Sequence, residues 1–156
     1  MREETTKTLD ILLFASGNYW WGVDIYFVQL VKWGINREHL QPLKRKRIKS
    51  ILSIIPVYGV KSDGQLIPAI PLTGTADAFD YQSFHGAAVF LGHNQTDFVV
   101  LADEVIGTET LKIPEQIRLL PHHLKNVFSD KNVWAVAEIR DNLAYLFEPP
   151  LAQVGN

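Results

Sequence analysis

Ile11-Leu-Leu-Phe-Ala-Ser-Gly-Asn-Tyr-Trp-Trp-Gly-Val-Asp-Ile-Tyr-Phe-Val-Gln-Leu30 reads as an apolar strand, a Gly17-Asn18 turn and a second strand, with a short helix expected from Asp24. Strand formers crowd both sides of the turn, and glycine supplies the backbone freedom a tight reversal needs. Nothing in the stretch is a nucleophile, a metal ligand or a phosphate-binding loop. Its information is architectural, which favours a binding module over an enzyme.

The same pattern runs outward along the chain. Asp63-Gly64 separates Pro56–Lys61 from Gln65–Leu72, and His93-Asn94-Gln95 separates Ala87–Gly92 from Asp97–Ile106. Arg140-Asp141-Asn142 separates Val133–Ile139 from Leu143–Phe147. Strands predominate and no long amphipathic helix alternates with them, which argues for antiparallel sheets or barrels. Phe98-Val-Val-Leu-Ala102 is apolar on both faces, where a strand with one wet side would alternate. Such a strand is covered twice, by a second barrel or by a partner.

Helical signals are short. Asp24 is expected to cap a turn or two carrying Val28, Val31 and Trp33, ended by Gly34. Ile48, Ile51, Leu52 and Ile55 have helical spacing before Pro56, and Pro114 stands where a first helical residue would, with Glu115 after it. Thr73–Gly86 reads as a connecting loop and the place to divide two subunits of structure. No repeat is visible in the sequence.

Composition narrows the function. Of 156 residues 47% are hydrophobic and 21% charged, the balance of a globular chain with a packed core. A net charge of -2 gives no overall attraction to nucleic acid or anionic membrane. The absence of cysteine removes disulfides and thiolate chemistry, and fits a reducing cytoplasm. Met1–Asp10 lacks the apolar core of a signal peptide, and no apolar run approaches the ~20 residues of a membrane-spanning helix. The expectation is a cytoplasmic domain without membrane insertion.

Candidate chemistry is thin. Asp80, His85, His93 and Asp97 are the only acid and histidine grouping within a short span, and a metal-dependent enzyme on a β-barrel would have to use His85, His93 and Asp97. Their spacing does not enforce convergence. His122-His123 and Asp103-Glu104 are neighbours that point opposite ways in extended chain. No Gly-x-Ser-x-Gly elbow or glycine-rich phosphate loop is present, so no cofactor and no catalytic residue is assigned. The run Lys44-Arg45-Lys46-Arg47 with Lys49 could dock phosphates or an acidic protein, and a nucleic-acid-binding barrel is the corresponding alternative. Tyr19, Trp20, Trp21, Tyr26, Phe27 and Trp33 are an aromatic cluster, of which most belong to a core. Trp20 and Trp21 cannot both face inward on one strand, so one meets a second unit or anchors a contact at the surface.

These residues together resemble the CheW-like chemotaxis adaptor domain. Leu12–Phe14 followed by Tyr19–Leu30 is similar to the family's strand, turn, "YGIDI" and "VQEI" pattern; Gly22-Val23-Asp24-Ile25 and Val28-Gln29 match, while Leu30 replaces an acid. Asp63-Gly64-Gln65-Leu66-Ile67-Pro68-Ala69-Ile70-Pro71-Leu72 resembles "RGxIxPxxDL". Ala102-Asp103-Glu104-Val105 resembles "VDxV", Glu115-Gln116-Ile117-Arg118 resembles "EQIR", and Leu143–Leu151 resembles the closing strand.

The resemblance implies a mainly β fold of two small five-stranded SH3-like barrels packed together, with a few short helices and no active site. It implies a single domain over 8–151, with subdomains near 20–85 and 86–140, terminal strands crossing between them, and flexible ends at 1–7 and 152–156. It further implies a scaffold in two-component signalling that couples a chemoreceptor cytoplasmic tip to a CheA-type histidine kinase. By carry-over, Val28 and Val105 face the receptor groove with Thr108 beside them, and Leu30 and Asp63 lie where partners couple. Asp63 stands where the family carries arginine, and Pro71 where it carries aspartate. That reversal of charge points to a diverged adaptor with altered partners.

Overall fold

The computed structural model describes residues 7–44, 50–52, 54–72, 79–124 and 131–150. The hairpins form where the turn residues permit them. Gly17 (φ 64°) joins β1 (Lys7–Ser16) to β2 (Tyr19–Asp24). Asp63 and Gly64 (φ 50° and 80°) join β5 (Tyr58–Ser62) to β6 (Gln65–Pro71), and Arg140 and Asp141 (φ 50° and 64°) join β11 (Val133–Ile139) to β12 (Asn142–Phe147). Positive φ at both central residues matches the turn to the twist of the strands. β7 (His85–Leu91) and β8 (Phe98–Ala102) flank the 93–95 turn, with Asn94 at φ 67°.

The remaining strands are β3 (Val28–Asn36), β4 (Leu40–Pro42), β9 (Glu104–Ile113) and β10 (Ile117–Leu119). One curled sheet runs β10-β11-β12-β2-β1-β9 and the other β3-β7-β8-β6-β5-β4. Two packed SH3-like units are thus present, with six strands to a sheet where five were expected. Each sheet holds one parallel pair, β12 with β2 and β6 with β8, and all other neighbours are antiparallel. The two sheets also share one topology. In each, three consecutive strands lead to a parallel neighbour, then to that neighbour's hairpin partner, then to the strand preceding the first three. The strands correspond in the order β9-β10-β11-β12-β1-β2 of one unit to β3-β4-β5-β6-β7-β8 of the other.

A division near residue 85 does not describe this arrangement. β7 and β8 belong with β3–β6, while β9–β12 join β1 and β2. The chain changes sheet at two places, between Asp24 and Val28 and again at Asp103. The strand expected over Asp97–Ile106 is accordingly broken at Asp103.

Three cores result. Ile11, Leu13, Leu111, Ala137 and Leu146 fill the first barrel; Val60, Ile67, Ala88, Phe90, Val99 and Leu101 fill the second. Between the sheets lies a third, built from Leu12, Phe14, Trp21 and Val23 of one and Ile70, Val89, Leu91, Phe98 and Val100 of the other. Side chains on a strand alternate between faces, so β1 and β8 each serve two cores. The apolar run Phe98–Ala102 is buried throughout for that reason: Phe98, Val100 and Ala102 face the seam, and Val99 and Leu101 face the barrel interior.

The helices expected from spacing are strands and turns. After Asp24 there is one 3-10 turn, Ile25–Phe27, with the Asp24 carboxylate accepting from the Tyr26 N–H at 2.9 Å. From Val28 the chain is β3. Val28 lies opposite Leu91 and Val31 opposite Val89, a three-residue step against a two-residue step, because a β-bulge intervenes. The bulge returns both valines to the seam face and imitates helical spacing. A second bulge, between Lys32 and Ile35, carries Gly34 at φ 69°.

Residues 114–116 form a turn rather than a helix. The Ile113–Pro114 peptide is cis, and Gln116 closes the reversal by donating its N–H to the Lys112 carbonyl and accepting the Lys112 N–H on its side chain. Ile51 and Ile54 exchange two backbone hydrogen bonds of 2.8 Å around Leu52 (φ 49°), which leaves no helix there among the described residues; Ile48 lies outside them. Of the loop expected over Thr73–Gly86, 79–84 is described as loop and His85 and Gly86 already belong to β7.

Candidate functional site

The two crossings leave the sheets at opposite ends of β1 and β7: Asp24 pairs with Ile11 and Glu104 with Ala15, and Val28 pairs with Leu91 while Ala102 pairs with Ala87. They are equivalent places in the shared topology. Val28 opens β3 and pairs with Leu91 at the end of β7; Val105, second in β9, pairs with Phe14 near the end of β1. Both valines are half-buried against the seam core. Thr108 is exposed opposite Leu12, itself a seam residue. Val28 and Val105 thus pack on the seam core from opposite sheets, with Thr108 opposite its Leu12.

Leu30 and Asp63 are elsewhere. Leu30 pairs with Phe90, whose ring belongs to the second barrel's interior, so Leu30 occupies the face of β3 away from the seam and is 44% exposed. Asp63 is exposed at the tip of the β5–β6 hairpin, toward the far side of the second sheet.

Hydrogen bonds fix both crossings. The Phe27 carbonyl accepts from the Gly92 N–H at 3.0 Å, and the Gly92 carbonyl accepts from the Gln29 side-chain amide at 3.1 Å. The His93 ring lies against Tyr26 and Phe27, with its Nε2 3.4 Å from the Tyr26 hydroxyl. At the second crossing the Asp103 carboxylate accepts from the Gly17 N–H and the Asp103 N–H donates to the Ala15 carbonyl, both at 2.8 Å. Asp103 ties the sheet change to the β1–β2 turn, a structural use for a residue considered as half of an acid pair.

Sequence reasoning located the exposed aromatics only in part. Trp21 is 1% exposed in the seam core, and Trp20 packs on the first barrel's interior from a half-buried position. The choice between the two therefore resolves with Trp21 meeting the second sheet. The exposed members are Tyr19 (44%), Tyr26 (60%) and Trp33 (68%), the last two next to Ile25 and Leu30 on the turn and β3. Gly34, which ends no helix but opens a bulge beside Trp33, was the available signal. Leu119 on edge strand β10, at 80% exposure, had none.

The acid and histidine grouping is dispersed. His85 begins β7 and His93 follows its end, and seven residues of strand separate them by roughly 20 Å. Asp80 is occupied locally, accepting from the Ser83 hydroxyl and from the Gln82 and Ser83 N–H groups. The Ser83 hydroxyl, then its N–H, hold the Asp80 carboxyl below its ordinary range. Among the described residues no three His, Cys, Asp or Glu side chains group to hold a metal. Of the basic run, Lys44 is exposed, and 45–49 lie outside the described residues. Among the described residues no helix is long and apolar enough to cross a membrane.

No family model matches the sequence, and no curated protein matches it. Among solved structures, the scaffolding protein TtCheW from Thermoanaerobacter tengcongensis is similar, with a TM-score of 0.59 and 16% identity over 94% of this chain and 88% of that one. The chain has the CheW fold. Sixteen per cent identity leaves most side chains different; those exposed on this chain's surface include Tyr26, Leu30 and Trp33 on the turn and β3, and Asp63 on the second barrel's hairpin.

Proposed function

We propose that the protein is a non-enzymatic scaffold of the CheW type. In this role it couples a chemoreceptor cytoplasmic tip to a CheA-type histidine kinase in chemotaxis or related motility signalling in the cytoplasm. The receptor segment would dock on the seam against Val28, Val105 and Thr108. The kinase would meet the barrel surfaces, with Leu30 and Asp63 at the contact.

The observation that carries the reading is the pair Val28 and Val105. Two apolar side chains from equivalent crossings, each half-buried over one shared core, offer a small apolar contact on a rigid frame. Binding by a few central anchors surrounded by polar contacts is how standard interfaces of about 800 Å² per partner obtain their affinity. A scaffold needs no group that breaks or makes bonds; Asp24, His93 and Asp103 support the crossings and Asp80 a turn.

The test is a pull-down with a chemoreceptor cytoplasmic fragment and a CheA-type kinase. Val28→Arg is expected to leave the melting temperature near wild type and to weaken capture of the receptor fragment about tenfold or more, the equivalent of ~1.4 kcal/mol. Asp63→Arg is expected to increase capture of a standard kinase by removing a charge repulsion. A melt that collapses with Val28→Arg would instead make that side chain core. Unchanged kinase capture would remove Asp63 as the cause of divergence.

A further inference from the structure

We propose that Asp63 is a site of spontaneous covalent ageing in the folded protein, converting to isoaspartate through a cyclic imide formed with Gly64. Asp63-Gly64 is the only Asp-Gly or Asn-Gly pair in the 156 residues. It makes the two-residue turn between Ser62 and Gln65, which face each other as the closing pair of the β5–β6 ladder. The Gly64 nitrogen lies between those partners and outside the ladder. Both residues are exposed, and where a Gly64 β-carbon would stand there is nothing within 4 Å.

The reaction needs a main-chain nitrogen able to approach a carboxyl one carbon out on the preceding side chain, with no bulk on the nucleophile's own residue. At this turn the attacking residue is glycine, and the space around it is open. Asp63 also holds a left-handed φ of 50°, a region that aspartate visits more readily than most residues with a β-carbon. By contrast, Asp10 and Asp24 precede Ile11 and Ile25, whose branched side chains crowd the attacking nitrogen.

In the first step the Gly64 nitrogen attacks Cγ of the protonated Asp63 carboxyl. The N–Cγ bond forms, the Cγ–OH bond breaks, and the hydroxyl leaves as water with the amide proton. In the second step water adds to the Asp63 main-chain carbonyl carbon and the C–N bond there breaks. The chain now runs through Cγ, and the former main-chain carbonyl is a free carboxylate. Addition at Cγ instead restores aspartate. One water is lost and one gained, with no redox change.

The product adds one backbone atom to a turn that sets the β5–β6 register, and moves the carboxylate from a side-chain tip onto the main chain. Asp63 also belongs to the proposed kinase contact, but the chemistry is independent of that reading.

The test incubates the purified chain at neutral pH and physiological temperature for weeks. Isoaspartate is read by labelling with an isoaspartyl methyltransferase and by peptide mapping with electron-transfer fragmentation. The expected result is accumulation at position 63 several-fold faster than at any other aspartate, and its loss in Asp63→Glu, whose longer side chain disfavours ring closure. No isoaspartate at 63 in the folded chain, with accumulation there only in urea, would overturn the proposal by showing that the fold protects the turn. Equal accumulation at several aspartates would overturn it as well.

Discussion

At the scale of single residues, the tryptophans show how the fold sorts similar side chains. Trp20 and Trp21 are adjacent on β2 and point to different cores. Trp21 packs edge-on against Phe147, with ring centroids 6.3 Å apart, and Phe147 in turn meets Phe14 at 6.0 Å. Edge-to-face rings add a little beyond the area they bury, and losing a fully buried tryptophan costs much more. Trp21→Ala is expected to destabilise the protein by about 3–5 kcal/mol in chemical denaturation. Trp20→Ala, at a half-buried position, should cost clearly less, and equal losses would mean that the seam core is not special. That one of the pair must leave its own barrel was legible from alternation alone. Which one was not, since both faces of β2 are apolar and only the three-dimensional partner distinguishes them. The sequence likewise could not reveal that Tyr26 is outside, because its neighbours Ile25 and Phe27 are as apolar as any core residue's.

At the scale of elements, turn chemistry was legible and short helices were misread. Gly17, Asp63-Gly64 and Arg140-Asp141 advertise hairpins because their φ values are a local matter. The bulges in β3 are a matter of pairing with β7. A bulge converts a two-residue repeat into a three-residue step, so Val28 and Val31 look helical to any reading of spacing. Asp103 hid the break between β8 and β9 for a similar reason: with Glu104 it stands between the apolar run Phe98–Ala102 and Val105-Ile106, and its purpose appears only when Gly17 is beside it. Close strand contact also leaves marks. A β-carbon on Gly86 would stand 2.1 Å from the Ala102 carbonyl oxygen. Gly86→Ala must therefore push β7 from β8, at a cost of roughly 1–3 kcal/mol or more. Thermal melts would register this as a clear fall in midpoint, and an unaltered midpoint would contradict the tight pairing.

At the scale of the molecule, two sheets of the same topology share a core that neither owns. The repeat is invisible in the sequence because β1 and β2 complete a unit whose other four strands come last in the chain. Comparing contiguous halves sets unlike strands against each other. The arrangement makes the units interdependent: a fragment of residues 1–102 would lack β9–β12 and leave β1 and β2 without sheet neighbours on either side. That fragment is expected to show no cooperative melt and no dispersed amide spectrum. A folded fragment would mean that the second sheet stands without the seam. Of the candidate site, Val28 and Val105 pack on the seam core and Thr108 lies opposite Leu12, whereas Leu30 and Asp63 occupy other faces.

The claim on which the account depends is that the seam grips a partner segment. Methyl-resolved NMR of the intact chain, titrated with a chemoreceptor cytoplasmic-tip fragment, tests it most directly. The prediction is that Val28 and Val105 methyls shift together and saturably, while those of Leu13 and Leu101, inside the two barrels, stay in place. Binding that moves neither valine, or a fragment that leaves the whole spectrum unchanged, would contradict it.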